Sequence, residues 1–180
     1  MTADDMDHGT TVAELRRAFD RSFAEAPAVE PGAHDDLLDL RIGSDSYAVC
    51  LADTGGLFAD TRVTPLPGSV AEMCGVVGLR GTILPVYDLR ALLGYAKGMV
   101  PRWLLVIAHT PVALAFDGFE GHLRVPRAAI ASVPDRTVSG RSRHIHHIVR
   151  TDTCARPIIH MASVLEAIAV LAGQRVRSKE

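Results

Sequence analysis

The stretch Gly75-Val76-Val77-Gly78-Leu79-Arg80-Gly81-Thr82-Ile83-Leu84-Pro85-Val86-Tyr87-Asp88-Leu89-Arg90 decides the fold. Two short apolar runs, Val76 to Leu79 and Thr82 to Val86, flank Arg80-Gly81 and lead into Asp88-Leu89. This order reads as strand, tight turn, strand and helix start. A charged arginine at the tip of an otherwise apolar hairpin stands where a partner can reach it.

Outward from the hairpin, period-two alternation recurs. Leu38, Leu40 and Ile42 alternate with Asp39 and Arg41, Gly43 to Ser46 supply a turn, and Tyr47, Val49 and Leu51 alternate on the return. A hairpin is predicted there. Residues 53–68 are punctuated by Gly and Pro, and Pro65 and Pro67 exclude a regular central strand at their positions. After the opening stretch, Asp88 to Gly94 carries a cap residue, good helix formers and a terminal glycine, which predicts one or two helical turns with Asp88 as the cap. Lys97 to Arg102 reads as a loop.

The second half repeats this grammar. Trp103 to Ala108 and Val112 to Phe116 are apolar runs around His109-Thr110-Pro111, and Asp117-Gly118 turns the chain into Phe119 to Val125. Ala128 to Val133 predicts a short strand or turn, Pro134 to Ser142 a loop, and His144 to Arg150 and Arg156 to Met161 the last strands. Leu165, Ile168, Ala169 and Leu171 mark a helix over about 162–174, followed by a basic tail. Short strands, many turn signals and few helices make the chain mainly β.

At 180 residues the chain holds one domain or two small ones. Hydrophobic residues are 48% and aromatics 5%, so Val, Leu, Ile and Ala fill the core. Residues 1–36 hold nine acidic and three basic residues. They read as an acidic extension: a disordered start, then a capping box at Thr11 to Glu14 and an amphipathic helix over about 11–25, with Val12, Leu15, Phe19 and Phe23 on one face. That face either docks on the same chain or binds a partner. Ala26 to Ala33 serves as a linker. Positive charge is almost all arginine, since Lys97 and Lys179 are the only lysines. Without a clustered basic, aromatic-rich face, no nucleic-acid partner is expected. No apolar run approaches the roughly 18 residues of a membrane span, and the first residues lack the basic start and apolar centre of a signal peptide. A cytoplasmic location without membrane insertion is therefore expected.

Catalytic motifs are missing: there is no Gly-x-Ser-x-Gly, His-Glu-x-x-His, P-loop or Gly-x-Gly-x-x-Gly. Cys50, Cys74 and Cys154 lie far apart and read as buried thiols. His144, His146 and His147 are the one metal-ligand candidate. In a regular strand His144 and His146 share a face, and a third ligand would come from His160, His122 or a cysteine. A small metal-binding enzyme is the rival reading from another class.

The pattern Gly-Val-x-x-Leu-Arg-Gly-x-Ile-x-Pro-Val-x-Asp-Leu over residues 75–89 resembles the signature of CheW. CheW is the adaptor that couples chemoreceptors to the histidine kinase CheA. The resemblance extends over roughly 36–172. It implies two small five-stranded β-barrels packed side by side, flanked by the N-terminal amphipathic helix and the C-terminal helix. Residues 1–36 would then be the extension, 37–175 the CheW-like domain with a seam near 94–102, and 176–180 the tail. It further implies a crossing strand, a proline and a short helical turn before the hairpin, places held here by Thr64 to Pro67 and Ser69 to Met73. Ala115 to Phe119 looks like the counterpart of the family's Val-Asp-x-Val element.

As function, the resemblance implies a non-enzymatic adaptor without a cofactor. Its partners would be the regulatory domain of a CheA-like histidine kinase and a methyl-accepting chemoreceptor. The protein-interaction residues would be Arg80 with Gly78, Leu79 and Gly81. The family's arginine follows Asn-Leu, whereas Gly78-Leu79 stands here, so a side chain able to hydrogen-bond the turn is missing. Arg80 could instead form a structural salt bridge across the hairpin. A module of the same fold could also serve a non-chemotaxis kinase pathway.

Overall fold

The computed structural model describes residues 33–96, 101–133, 143–150 and 155–177, with side chains to residue 173. The expected N-terminal helix, the loop at 134–142 and Cys154 lie outside the described residues. Two sheets form the folded unit from Ala33 onward. One contains β1 (His34–Ile42), β2 (Asp45–Cys50), β8 (Gly118–Pro126), β9 (Ile130–Ser132), β10 (Ile145–Arg150) and β11 (Ala155–Ile159), in the order β8-β1-β2-β11-β10-β9. The other contains β3 (Thr54–Ala59), β4 (Met73–Leu79), β5 (Thr82–Asp88), β6 (Trp103–Ile107) and β7 (Ala113–Phe116), in the order β3-β6-β7-β5-β4. Helix α1 (Leu89–Leu92) follows β5, and α2 (Met161–Arg177) follows β11.

The mainly β, two-lobed architecture is present, with differences in detail. The sheets have six and five strands in open order, the sixth strand being the three-residue β9 against β10. Leu51 leaves β2 for a 3-10 turn and is exposed, because the chain there crosses from one sheet to the other. Ser69 to Met73 forms hydrogen-bonded turns rather than a helical turn, with Met73 N donating to Val70 O at 3.0 Å. The chain crosses between sheets at residues 51–53 and at Asp117, and not near 94–102, whose flanking strands β5 and β6 both belong to the five-stranded sheet.

Period two explains the packing. In β7, Leu114 and Phe116 point into a core shared by both sheets and α2, while Ala113 and Ala115 point into a second core inside the five-stranded sheet. β7 therefore turns its large residues to the space between the sheets and its small ones to the inside of the curl, where Leu84 and Leu104 of neighbouring strands take the room. β1 divides likewise: Leu38, Leu40 and Ile42 enter the shared core, and Leu37 enters a third core with Ala48, Val125, Val149 and Ile158. Burying each such Leu or Ile contributes about 1.5–3 kcal/mol. Met161, Val164 and Ile168, three or four apart on α2, close the shared core from outside.

Polar groups clasp the sheets together. Asp117 accepts from Gly43 N at 2.5 Å and from Arg90 Nη1 at 3.2 Å, so the β1–β2 turn, the second crossing and α1 meet on one carboxylate. Arg90 also donates to Ala96 O and lies over the Tyr95 ring, and the Tyr95 hydroxyl donates to Asp45 and contacts Tyr47. Burial raises the Tyr95 pKa, and the Asp45 and Tyr47 hydrogen bonds raise it further, so the phenol remains protonated. As expected, Asp88 caps α1 by accepting from Arg90 N at 2.9 Å.

Candidate functional site: the tip of the β4–β5 hairpin

Leu79 pairs with Thr82, leaving Arg80 and Gly81 as a two-residue loop. Both have positive φ, +48° and +80°, the backbone sign of a type I′ turn, which follows the right-handed twist of its strands. Glycine adopts this conformation freely. An L-residue in the left-handed region costs about 1–2 kcal/mol, and Asn is the residue usually tolerated there. Arg80 therefore occupies a position where the turn alone would favour another residue.

The guanidinium is exposed, and its Cζ lies 5.8 Å from the centroid of the Phe58 ring on β3. Among the described residues no carboxylate pairs with it, so the expected alternative of a salt bridge across the hairpin is not formed. Leu79 is half-buried and packs against the core of the five-stranded sheet, so it anchors the tip rather than offering itself to a partner. Gly78 is exposed with an ordinary φ and open space where a Cβ would lie; its pair, Ile83, is 74% exposed. No backbone requirement keeps Gly78 a glycine. The tip thus presents one cation, one large apolar side chain and a stretch bare of side chains.

Phe58 was not singled out in the sequence, where it is one aromatic in a Gly-Gly-Leu-Phe run with nothing local to link it to Arg80. The link is topological. β3 and β4 end opposite edges of the hydrogen-bonded order, and the sheet curls until those edges approach. Thr64 completes the approach by exchanging two backbone hydrogen bonds with Val76, at 2.8 and 2.9 Å.

The histidine cluster is arranged differently from expectation. His144 lies in a 3-10 turn ahead of β10 and is buried, and a register irregularity between Ile145 and His147 leaves both His146 and His147 exposed. The Ser163 hydroxyl donates to His160 O at 2.8 Å, so its hydrogen is committed, and the 2.9 Å contact with His144 Nδ1 is assigned with the imidazole as donor. His146 stacks on His160 with centroids 4.3 Å apart, and His122 contacts Asp36 on another part of the sheet. Among the described residues no three ligating side chains converge on a point that could hold a metal ion.

His144 borders a cavity of about 600 Å³ between α1 and α2, with Glu72, Leu92, His146, Glu166 and Val170. Burial lowers the His144 pKa, and neighbouring Arg143 adds to the effect. The unfolded chain therefore binds a proton near pH 6.5 that the folded chain refuses. Stability from this site is intact above that pH and declines as pH falls below it, until the folded-state value is reached. Thermal midpoints measured from pH 7.5 to 5 should fall in the wild type, and His144→Asn should flatten the fall; an unchanged slope would refute this origin.

The family model of the CheW-like domain matches residues 36–171. The chain belongs to the CheW-like family. The probable chemotaxis protein CheW of Rhizobium etli is 31% identical over 104 residues, covering 56% of this chain and 67% of the relative. The crystal structure of the scaffolding protein TtCheW from Thermoanaerobacter tengcongensis superposes with a TM-score of 0.63 at 19% identity, covering 71% of this chain and 89% of that one, which shows a shared fold. A Myxococcus xanthus protein named tRNA modification GTPase MnmE is 34% identical over 144 residues but is matched over only 29% of its length. With under a third of that protein matched, its name says nothing of this chain. The Arg80 hairpin lies within the CheW-like domain match.

Proposed function

We propose that this chain is a non-enzymatic cytoplasmic adaptor that couples a methyl-accepting chemoreceptor to the regulatory domain of a CheA-type histidine kinase in chemotaxis. Membership of the CheW-like family and the chemotaxis relatives support the pathway. The observation that carries the contact is Arg80: a guanidinium held in a costly backbone conformation, exposed, and without a carboxylate partner among the described residues. Strain persists where the surroundings enforce it, and such sites are commonly functional. Arginine pairs with a carboxylate through two parallel hydrogen bonds, so the surface suits an acidic side chain beside an apolar one that covers Ile83. Gly78 and Gly81 leave room for close approach, and Leu79 fixes the hairpin to its core.

The test is Arg80→Glu. Charge reversal at a desolvated contact should lower receptor-coupled kinase activity at least about tenfold. The thermal midpoint should change little, because the side chain is exposed. Wild-type kinase activation by the variant would overturn the assignment of this tip as the docking contact.

A further inference from the structure

We propose that Phe58 is a positioning residue for the docking arginine, holding the Arg80 guanidinium over its ring so that it meets a partner already oriented. The inference rests on the reading of Arg80 as the contact and adds a residue that neither the hairpin motif nor the family likeness identifies. Arg80 has its backbone fixed by the two-residue turn, yet its side chain has four rotatable bonds whose ordering opposes binding. Phe58 supplies the restraint from outside the hairpin. Its ring is half-buried, seated in the core with Val77, Leu84 and Leu104, and leaves one face to the guanidinium at 5.8 Å. A cation prefers that face because the ring quadrupole is negative there.

The ring is itself placed by a neighbour. A Cβ built on Gly56 would lie 2.9 Å from Phe58 Cε2, so the bare position lets the ring lie back along β3. The arrangement is a relay: Gly56 makes room, Phe58 lies in that room, and Arg80 rests on Phe58. It joins the two edge strands of the five-stranded sheet at the point where the chain offers its cation.

Two measurements test this. First, the Arg80 side-chain Nε–Hε resonance in the full chain should be shifted upfield by the ring current, and Phe58→Leu or Gly56→Ala should abolish the shift. Absence of an upfield shift in the wild type would refute the placement whatever Arg80 does. Second, the chain is titrated against the CheA-type kinase and a chemoreceptor cytoplasmic fragment of its own organism, and the concentration giving half-maximal kinase activity is read. Phe58→Leu and Gly56→Ala should each raise it about two- to fivefold, and Phe58→Tyr should leave it unchanged. In an Arg80→Ala background, Phe58→Leu should add nothing further. An equal loss in both backgrounds would make Phe58 a packing residue only and overturn the proposal. If Arg80→Ala alone has no effect, the docking reading falls and the relay has no role in coupling.

Discussion

Gly75→Ala should be the most damaging alanine substitution among the described glycines, costing on the order of 3 kcal/mol or more and lowering the thermal midpoint by roughly 6–12 °C. Two effects act together. Gly75 has φ +144°, a conformation that L-residues rarely adopt, and it sits at a register irregularity between β4 and β5. A Cβ built there would fall 2.1 Å from Thr64 O and 2.9 Å from Pro65 Cα. The obstacle is backbone, so no side-chain rotation relieves it. Relief requires moving the 64–65 segment away, and that breaks both hydrogen bonds between Thr64 and Val76. The damage should reach the docking tip, since the same segment brings β3 and its Phe58 toward β4. Thermal melting and receptor-coupled kinase activity should fall together; a variant melting within about 2 °C of the wild type would show that the segment yields freely.

The second large effect is expected at Arg156. Asp39 on β1 is only 6% exposed and accepts from Arg156 Nε at 3.1 and 3.2 Å. The two strands are not neighbours, since β2 runs between them, and Ala48 is small enough for the arginine to reach across it. Arg156→Leu would leave a carboxylate buried without its partner, a loss of about 3 kcal/mol, at the low end for such pairs because the arginine keeps some solvent contact. Asp39→Leu combined with Arg156→Leu should recover most of that loss, because an apolar pair of similar volume avoids burying charge at all. Denaturant midpoints of the two single variants and the double variant measure this. A double variant as unstable as Arg156→Leu would mean that the pair serves the fold through its shape and not its charge.

Local signals were legible wherever the chain speaks to its near neighbours. The Arg80-Gly81 turn, the Asp88 cap and the β1–β2 hairpin each depend on residues a few positions apart, and each could be read from spacing. The α2 stripe was legible in part: Leu165, Ile168 and Leu171 pack on the core, but Met161 and Val164 complete its buried face and Ala169 is exposed. The family likeness supplied the two-lobed plan, which no local pattern contains. Contacts between distant residues were not legible. Nothing in Phe58 points to Arg80, nothing in Gly75 points to Thr64, and Asp39 meets Arg156 across 117 positions. The misplaced seam has the same origin. Gly94, Gly98 and Pro101 are strong break signals in the sequence, but a break signal is not a change of sheet. The histidine cluster misled for a related reason: His144 sits in a 3-10 turn ahead of β10, outside any alternation, and an irregularity at the start of β10 exposes both His146 and His147.

The crossings at residues 51–53 and 117 set an order of events on the ribosome. The five-stranded sheet is complete in sequence once Phe116 has emerged, and all of its pairings lie within residues 54–116. The six-stranded sheet must wait, because Leu37 pairs with Leu123, and Ala48 pairs with Ile158 near the far end of the chain. Until then the first hairpin holds Leu38, Leu40 and Ile42 with Ile145, Ile159, Met161, Val164 and Ile168 of their shared core still untranslated. Distant pairings of this kind slow folding and prolong the exposure of unpaired edges. The lobe bearing the arginine can therefore mature early, while the other lobe waits for strands translated after Phe116.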